Sequence, residues 1–230
     1  MRTVFKCLII LSIFTTNRSK GQGEILENGQ SGFGISYGMG VSKTSSDHGL
    51  QLSYSISGRL DIDASIGTVY QGIEAFKGLS GKYYGGSLTY FISRNTKNKY
   101  LGSSAVFALT AGYQYSTIDY SSTVPSGFSM FIPQSMLSRS ESTTFFALSM
   151  FNRIPTTPST VWLFPILSIQ CHLQSNTALV GVQIGTELCV SLDDHIRIVI
   201  APSVGYFHPL SENANAANII PAAITVGFIL

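Results

Sequence analysis

Charge is what this sequence has least of. Charged residues make up 11% of the 230-residue chain, against the roughly 25% of a soluble globular domain. A fully water-facing exterior would therefore lack the lysines and glutamates that keep such surfaces dissolved. The net charge is only +2, and no Lys/Arg cluster interleaves with aromatics, so nucleic acid is not an expected partner. Long hydrophobic runs are missing too: past the N-terminus nothing approaches the ~20 apolar residues of a spanning helix. Cysteine is scarce, with three in all. Cys7 lies in the N-terminal apolar run, and Cys171 and Cys189 fall at opposite ends of neighbouring strands, far beyond the ~7 Å reach of a disulfide. Both are expected to be free thiols. No phosphate loop and no His/Cys set at ligand spacing occurs, so neither a cofactor nor a bound metal is expected.

What is present is alternation. In "LDIDASIG", residues 60 to 67, Leu60, Ile62, Ala64 and Ile66 share one face of a strand, and Asp61, Asp63, Ser65 and Gly67 share the other. The pattern recurs in nine further stretches: 32–43, 50–57, 83–93, 104–118, 143–153, 161–173, 178–190, 196–207 and 219–230. The polar faces hold Ser, Thr, Gly and Gln. Most stretches have the length of a tilted strand crossing a bilayer. "GR" at 58–59 turns the second stretch into the third as a tight hairpin.

Residues 1–21 read as a secretory signal peptide, with basic Arg2 and Lys6, an apolar core from Val4 to Phe14, and small residues before Gln22. An exported, charge-poor chain without a spanning helix meets a membrane best as a closed barrel. The expected fold is all-β: an antiparallel up-and-down transmembrane β-barrel over residues 22–230, with ten strands, or eight if one hairpin is miscounted. A soluble exported β-sandwich is the alternative. Pro165, Pro202 and Pro221 argue for it, because each removes a ladder donor; in a barrel they need bulges, with Pro202 and Pro221 sharing one.

With ten strands and both ends in the periplasm, the longest external connection is 119–142. Its apolar "GFSMFIPQSML" makes it a candidate site for a protein partner. Tyr54, Tyr70, Tyr84, Tyr113, Tyr115 and Tyr206 suit interface girdles.

Over nearly the whole mature chain this pattern resembles the small outer-membrane β-barrel proteins of the OmpA/OmpX/OmpW-like class. That resemblance implies an outer-membrane location, contact with outer-membrane lipid, and recognition of the C-terminal strand by the barrel assembly machinery. Ala222, Ile224, Val226, Phe228 and Leu230 alternate as that class requires, with the aromatic two places before the end.

In such a barrel Asp61, Asp63 and Glu187 face the lumen, where Arg59, Arg197 and Arg94 are the expected partners in a structural ion-pair network. Lumen-facing positions are otherwise mostly small. Catalytic groups were weighed as well. Asp47-His48 and Asp193-Asp194-His195 are similar to the acidic and Asp-His pairs of omptin proteases, but fall at opposite ends of the barrel, where turn chemistry explains them. Asp47, His48, His172 and His208, with Glu212 nearby, form a candidate external rim site. Ser168 and His172 share an inward face without a nucleophile elbow or an orienting acid. The expected function is a non-enzymatic envelope barrel with a structural, adhesive or narrow-pore role. The alternatives are a barrel enzyme acting on lipid or protein at the external rim, and a soluble binding module.

Overall fold

The computed structural model describes residues 29–42, 45–71, 79–97, 104–119, 138–155, 161–174, 177–192, 196–210 and 218–230. The expected signal peptide, the apolar segment 127–137, Asp193-Asp194-His195 and Glu212 lie outside these residues. Ten strands form: β1 (Gly32–Val41), β2 (Ser45–Ile56), β3 (Leu60–Gln71), β4 (Leu79–Lys97), β5 (Ser104–Asp119), β6 (Ser138–Pro155), β7 (Val161–Gln174), β8 (Thr177–Ser191), β9 (Arg197–Pro209) and β10 (Ala222–Ile229). Each pairs antiparallel with its neighbours in chain order, and β1 pairs with β10 to close the barrel. Closure leaves no sheet edge, which is what hydrocarbon demands of strands.

The register sets the tilt. Following paired residues from Phe151 through Ile166, Gly185, Ser203, Ala223, Gly40, Asp47, Val69, Gly81 and Ile118 returns to β6 at Arg139, twelve positions before Phe151. At ~3.3 Å per residue and ~4.8 Å between strands, that offset inclines the strands by roughly 40° to the barrel axis.

Alternation decides the two faces as the sequence predicts. Ile62 and Ile66 are exposed on the outside, while Asp61 and Asp63 are buried inside. Around the outer surface stand Leu52, Leu88, Leu109, Leu148, Ile169, Ile184 and Val226, all exposed. An apolar belt of this extent has no place in water. The six predicted girdle tyrosines also point outward, from Tyr115 at 39% exposure to Tyr113 at 50%.

Several boundaries differ from expectation. The β2–β3 hairpin turns on Ser57 and Gly58, both with positive φ (52° and 57°), and Arg59 N donates to Ile56 O at 2.9 Å. This is the mirror-image turn whose twist matches paired strands. The predicted turn 94–103 is half strand, because β4 runs on to Lys97 and absorbs register shifts between Phe91 and Thr96. The long external connection is shorter than predicted, since β6 already begins at Ser138.

The prolines are accommodated by gaps in the ladder. Pairing between β6 and β7 stops at Phe151–Ile166 and resumes in unchanged register at Ile154–Leu163, skipping Pro165. Between β8 and β9 it stops at Gly185–Ser203 and resumes at Leu188–Ile200, skipping Pro202. Pro202 and Pro221 do not share one irregularity. Pro202 pairs squarely with Ile224, whereas Pro221 precedes β10 and its carbonyl accepts from Gly205 N at 2.9 Å.

Candidate functional site

The barrel interior is layered. Its floor, at the end holding the β2–β3 turn and Leu230, holds two apolar clusters beside buried Asp61 and Glu187: Phe164, Cys189 and Ile229 pack with Trp162 and Val199, and Phe91, Val106, Ala108 and Phe151 pack with Ile166. The Arg153 guanidinium sits 3.9 Å over the Trp162 ring, a cation–π contact that holds a charge against an apolar layer.

Above the floor lies a polar belt. Gln51 Nε2 donates to Asp63 Oδ1 at 3.0 Å, and the Ser87 hydroxyl donates to Oδ2 at 3.0 Å. The Thr89 and Thr110 hydroxyls meet at 3.0 Å. Across the lumen a chain of amides continues the belt: Gln170 Nε2 donates to Gln183 Oε1 at 2.6 Å, and Gln183 Nε2 donates to Ser203 Oγ at 2.9 Å. Ser149 donates to Ser168 at 3.0 Å, and Gln170 reaches Ser168 at 3.2 Å. These partners satisfy side chains that lumen burial would otherwise penalise.

An aromatic ceiling covers the belt. Tyr83, Phe145 and Phe207 point inward and are buried, and each stands directly opposite a glycine of the adjacent strand: Gly67, Gly112 and Gly181. A Cβ at any of these glycines would run into the facing ring. Only a missing side chain lets the ring lie flat on the neighbouring backbone. His172 joins this layer, stacked on Phe145 (centroids 6.0 Å) and edge-on to Phe207 (5.2 Å). Leu179 and Ile219 pack against Phe207.

Most inward positions are small, as the sequence reads, but bulky rings stand among them. Among the described residues the aromatic side chains of Tyr83, Phe91, Phe145, Phe151, Trp162, Phe164 and Phe207 project inward. Two spaces in the belt measure about 20 Å³ beside Asp63, Gln51 and Ser87, and about 40 Å³ beside Ser168, Gln170 and Gln183. Room for a water begins at roughly 10–15 Å³ on this measure, so the spaces suit a few waters.

Asp61, Asp63 and Glu187 point inward and are buried. Asp63 accepts hydrogen bonds from Gln51 and Ser87. Arg59 sits exposed at the β2–β3 turn. Glu187, Arg197 and Arg153 all lie within electrostatic reach of the Cys189 thiol, which gathers them near the floor. The side chain of Arg94 lies outside the described residues.

The candidate rim residues do not converge. Asp47 and His172 are buried inside, while His208 is exposed outside, bonded through Nδ1 to Asn218 at 2.8 Å. His48 also lies on the outer face, against Thr68, Tyr37 and Tyr70. Among the described residues no three of His, Cys, Asp and Glu are grouped to hold a metal. Ser168 and His172 are separated by Gln170, which contacts both. Cys171 and Cys189 are free, the first half-exposed and the second buried.

Ten tilted strands, a closed β1–β10 seam and an apolar outer belt find their counterparts among solved structures. The neighbours are outer-membrane β-barrels. The barrel resembles the translocator domain of the autotransporter NalP from Neisseria meningitidis at 10% identity and TM-score 0.52, covering 99% of this chain and 98% of that one. LpxR from Salmonella typhimurium matches at 6% identity and TM-score 0.51, covering 85% and 99%. The N-terminal β-barrel domain of OprF from Pseudomonas aeruginosa matches at 11% identity and TM-score 0.38, covering 89% and 98%. At these identities the likeness concerns the fold alone. No family model and no curated protein sequence matches the chain.

Proposed function

We propose that this chain is a non-enzymatic outer-membrane barrel that is closed to solutes and serves the envelope structurally or as an adhesive surface. One observation carries the reading: bulky inward rings lie on both sides of the polar belt, with Phe91, Phe151 and Phe164 below and Tyr83, Phe145 and Phe207 above. The spaces between them, about 20 and 40 Å³, are far below what a sugar or nucleotide needs. Ten strands suit such a filled interior, since aqueous channels appear at about 16. The outward apolar belt and its tyrosine girdles favour the membrane over the soluble alternative.

The test is liposome swelling. Purified protein reconstituted into vesicles should admit a small sugar no faster than protein-free vesicles do. Swelling that depends on solute size would make the protein a pore and overturn the reading.

A further inference from the structure

On the outer face of β2, β3 and β4, one row of side chains departs from the apolar belt. His48 stands opposite Thr68, and Thr68 stands opposite Lys82. Neighbouring strands lie ~4.8 Å apart, so the three side chains fall within reach of one small group. Below the row the outer face continues as Leu50, Ile66 and Tyr84, all exposed and apolar or aromatic. The row therefore marks the edge of the belt nearer the external loops, the level at which headgroups begin.

Within the row, His48 Nε2 and Thr68 Oγ1 are 2.8 Å apart. The imidazole stacks on Tyr70 at 5.4 Å between centroids and lies 6.1 Å from Tyr37. The ring is thus held by two tyrosines and a hydroxyl. Whichever atom donates, one polar hydrogen is left over. If the Thr68 hydroxyl donates to Nε2, Nδ1 carries the hydrogen; if Nε2–H donates, the hydroxyl hydrogen is released. Lys82, one strand on, is exposed and makes no hydrogen bond or ion pair with another described residue. Among the described side chains on the strands' outer faces, it is the one that carries a charge. At the margin of hydrocarbon an ammonium reaches toward the headgroups, where a lipid anion can join it.

We infer that His48, Thr68 and Lys82 form a binding site for the phosphate of a membrane lipid in the outer leaflet. The Lys82 ammonium would supply the counter-charge, and the His48–Thr68 pair would supply a directed donor. Tyr70 and Tyr84 would flank the headgroup where acyl chains give way to polar groups. The site rests on the membrane placement proposed above, and not on whether the lumen is closed.

Native mass spectrometry of the detergent-purified full chain tests it, with dioleoyl phosphatidic acid as probe, dioleoyl phosphatidylcholine as control and inorganic phosphate as competitor. Each variant is first checked for the heat-dependent gel shift of a folded barrel. The wild type should retain phosphatidic acid in preference to phosphatidylcholine. Lys82→Ala should weaken retention about tenfold, the scale of one charge-assisted contact, and His48→Ala by less. Lys82→Arg should restore it, and millimolar phosphate should not displace it. Equal retention by wild type and Lys82→Ala, both folded, would overturn the site. Displacement by inorganic phosphate would overturn the lipid as its occupant. A wild type found in the soluble fraction without a gel shift would instead overturn the membrane placement.

Discussion

On the outside of the barrel Tyr54, Tyr84, Tyr113 and Tyr206 stand half-exposed among aliphatic side chains. On the inside Tyr83, Phe145 and Phe207 lie flat against the glycines that face them across the strand pair. The same residue class thus does opposite work on the two faces of one sheet. Outside, an aromatic ring needs a neighbour that is apolar at one end and wet at the other. Inside, it needs a vacancy, which a glycine on the next strand provides. Tyr83 and Tyr84 are adjacent in sequence and differ only in parity, yet one is buried in the lumen and the other stands exposed on the outer face. The role of an aromatic residue here is set by its strand phase and by the residue across the ladder, not by its type.

That contrast can be broken most severely at the glycines. Replacing Gly67 by Val places a side chain where the Tyr83 ring and the backbone carbonyl of His48 already lie. Overpacking of this kind costs about 1–3 kcal/mol or more, and here the backbone itself blocks relief. The expected result is loss of the heat-modifiable band on an unboiled SDS gel, with Gly112→Val behaving likewise. Gly86, on the outer face, where an added Cβ would meet nothing nearer than the Asp63 carbonyl at 3.3 Å, is the control.

The outer face should next reject a charge, while the inner face accepts a small neutral addition. Leu88→Arg on the outer face should destabilise folding into vesicles by roughly 2–4 kcal/mol in urea titrations. Ser65→Thr, on the inner face of β3 beside the 20 Å³ space, should change stability by less than about 1 kcal/mol. Similar costs at both positions would mean that the outer face does not meet lipid.

A smaller effect is expected in the polar belt. Asp63→Asn keeps the shape but replaces an acceptor of two hydrogen bonds, from Gln51 and Ser87, with a group that can accept from only one of them. A loss of about 1–3 kcal/mol is expected, read by the same titration. If Asp63→Asn instead stabilises the protein, the carboxylate is not held by those donors.

The mildest probe compares the two thiols. An apolar maleimide should label half-exposed Cys171 in the folded protein, while buried Cys189 should react only on unfolding, with mass spectrometry locating the adduct.

Much of the architecture was legible because a strand's period of two writes both faces into the sequence. The ten strands, the outward Leu60, Ile62 and Ile66, the inward Asp61 and Asp63, and the free cysteines all follow from alternation and length. The filled lumen was not legible. Gly67 read as one more residue of a polar face, and nothing in the sequence tied it to Tyr83. Only the cross-strand register shows that these residues meet, and register depends on turns such as Ser57-Gly58 being placed to the residue. The rim histidines scattered for the same reason: His48 and Asp47 are neighbours in sequence, and adjacent residues on a strand must face opposite ways. The hydrogen bonds to Asp63 from the Gln51 amide and the Ser87 hydroxyl were not legible either, because they too depend on cross-strand register.

The most direct test of the closed lumen is single-channel recording in planar bilayers, comparing the wild type with the double variant Phe91→Ala/Phe151→Ala. These rings contact one another in the floor at 6.3 Å between centroids. The wild type should show no resolvable steady conductance, and the double variant should show small ohmic steps while keeping its heat-dependent gel shift. Steady conductance in the wild type, unchanged when the two rings are removed, would contradict the account.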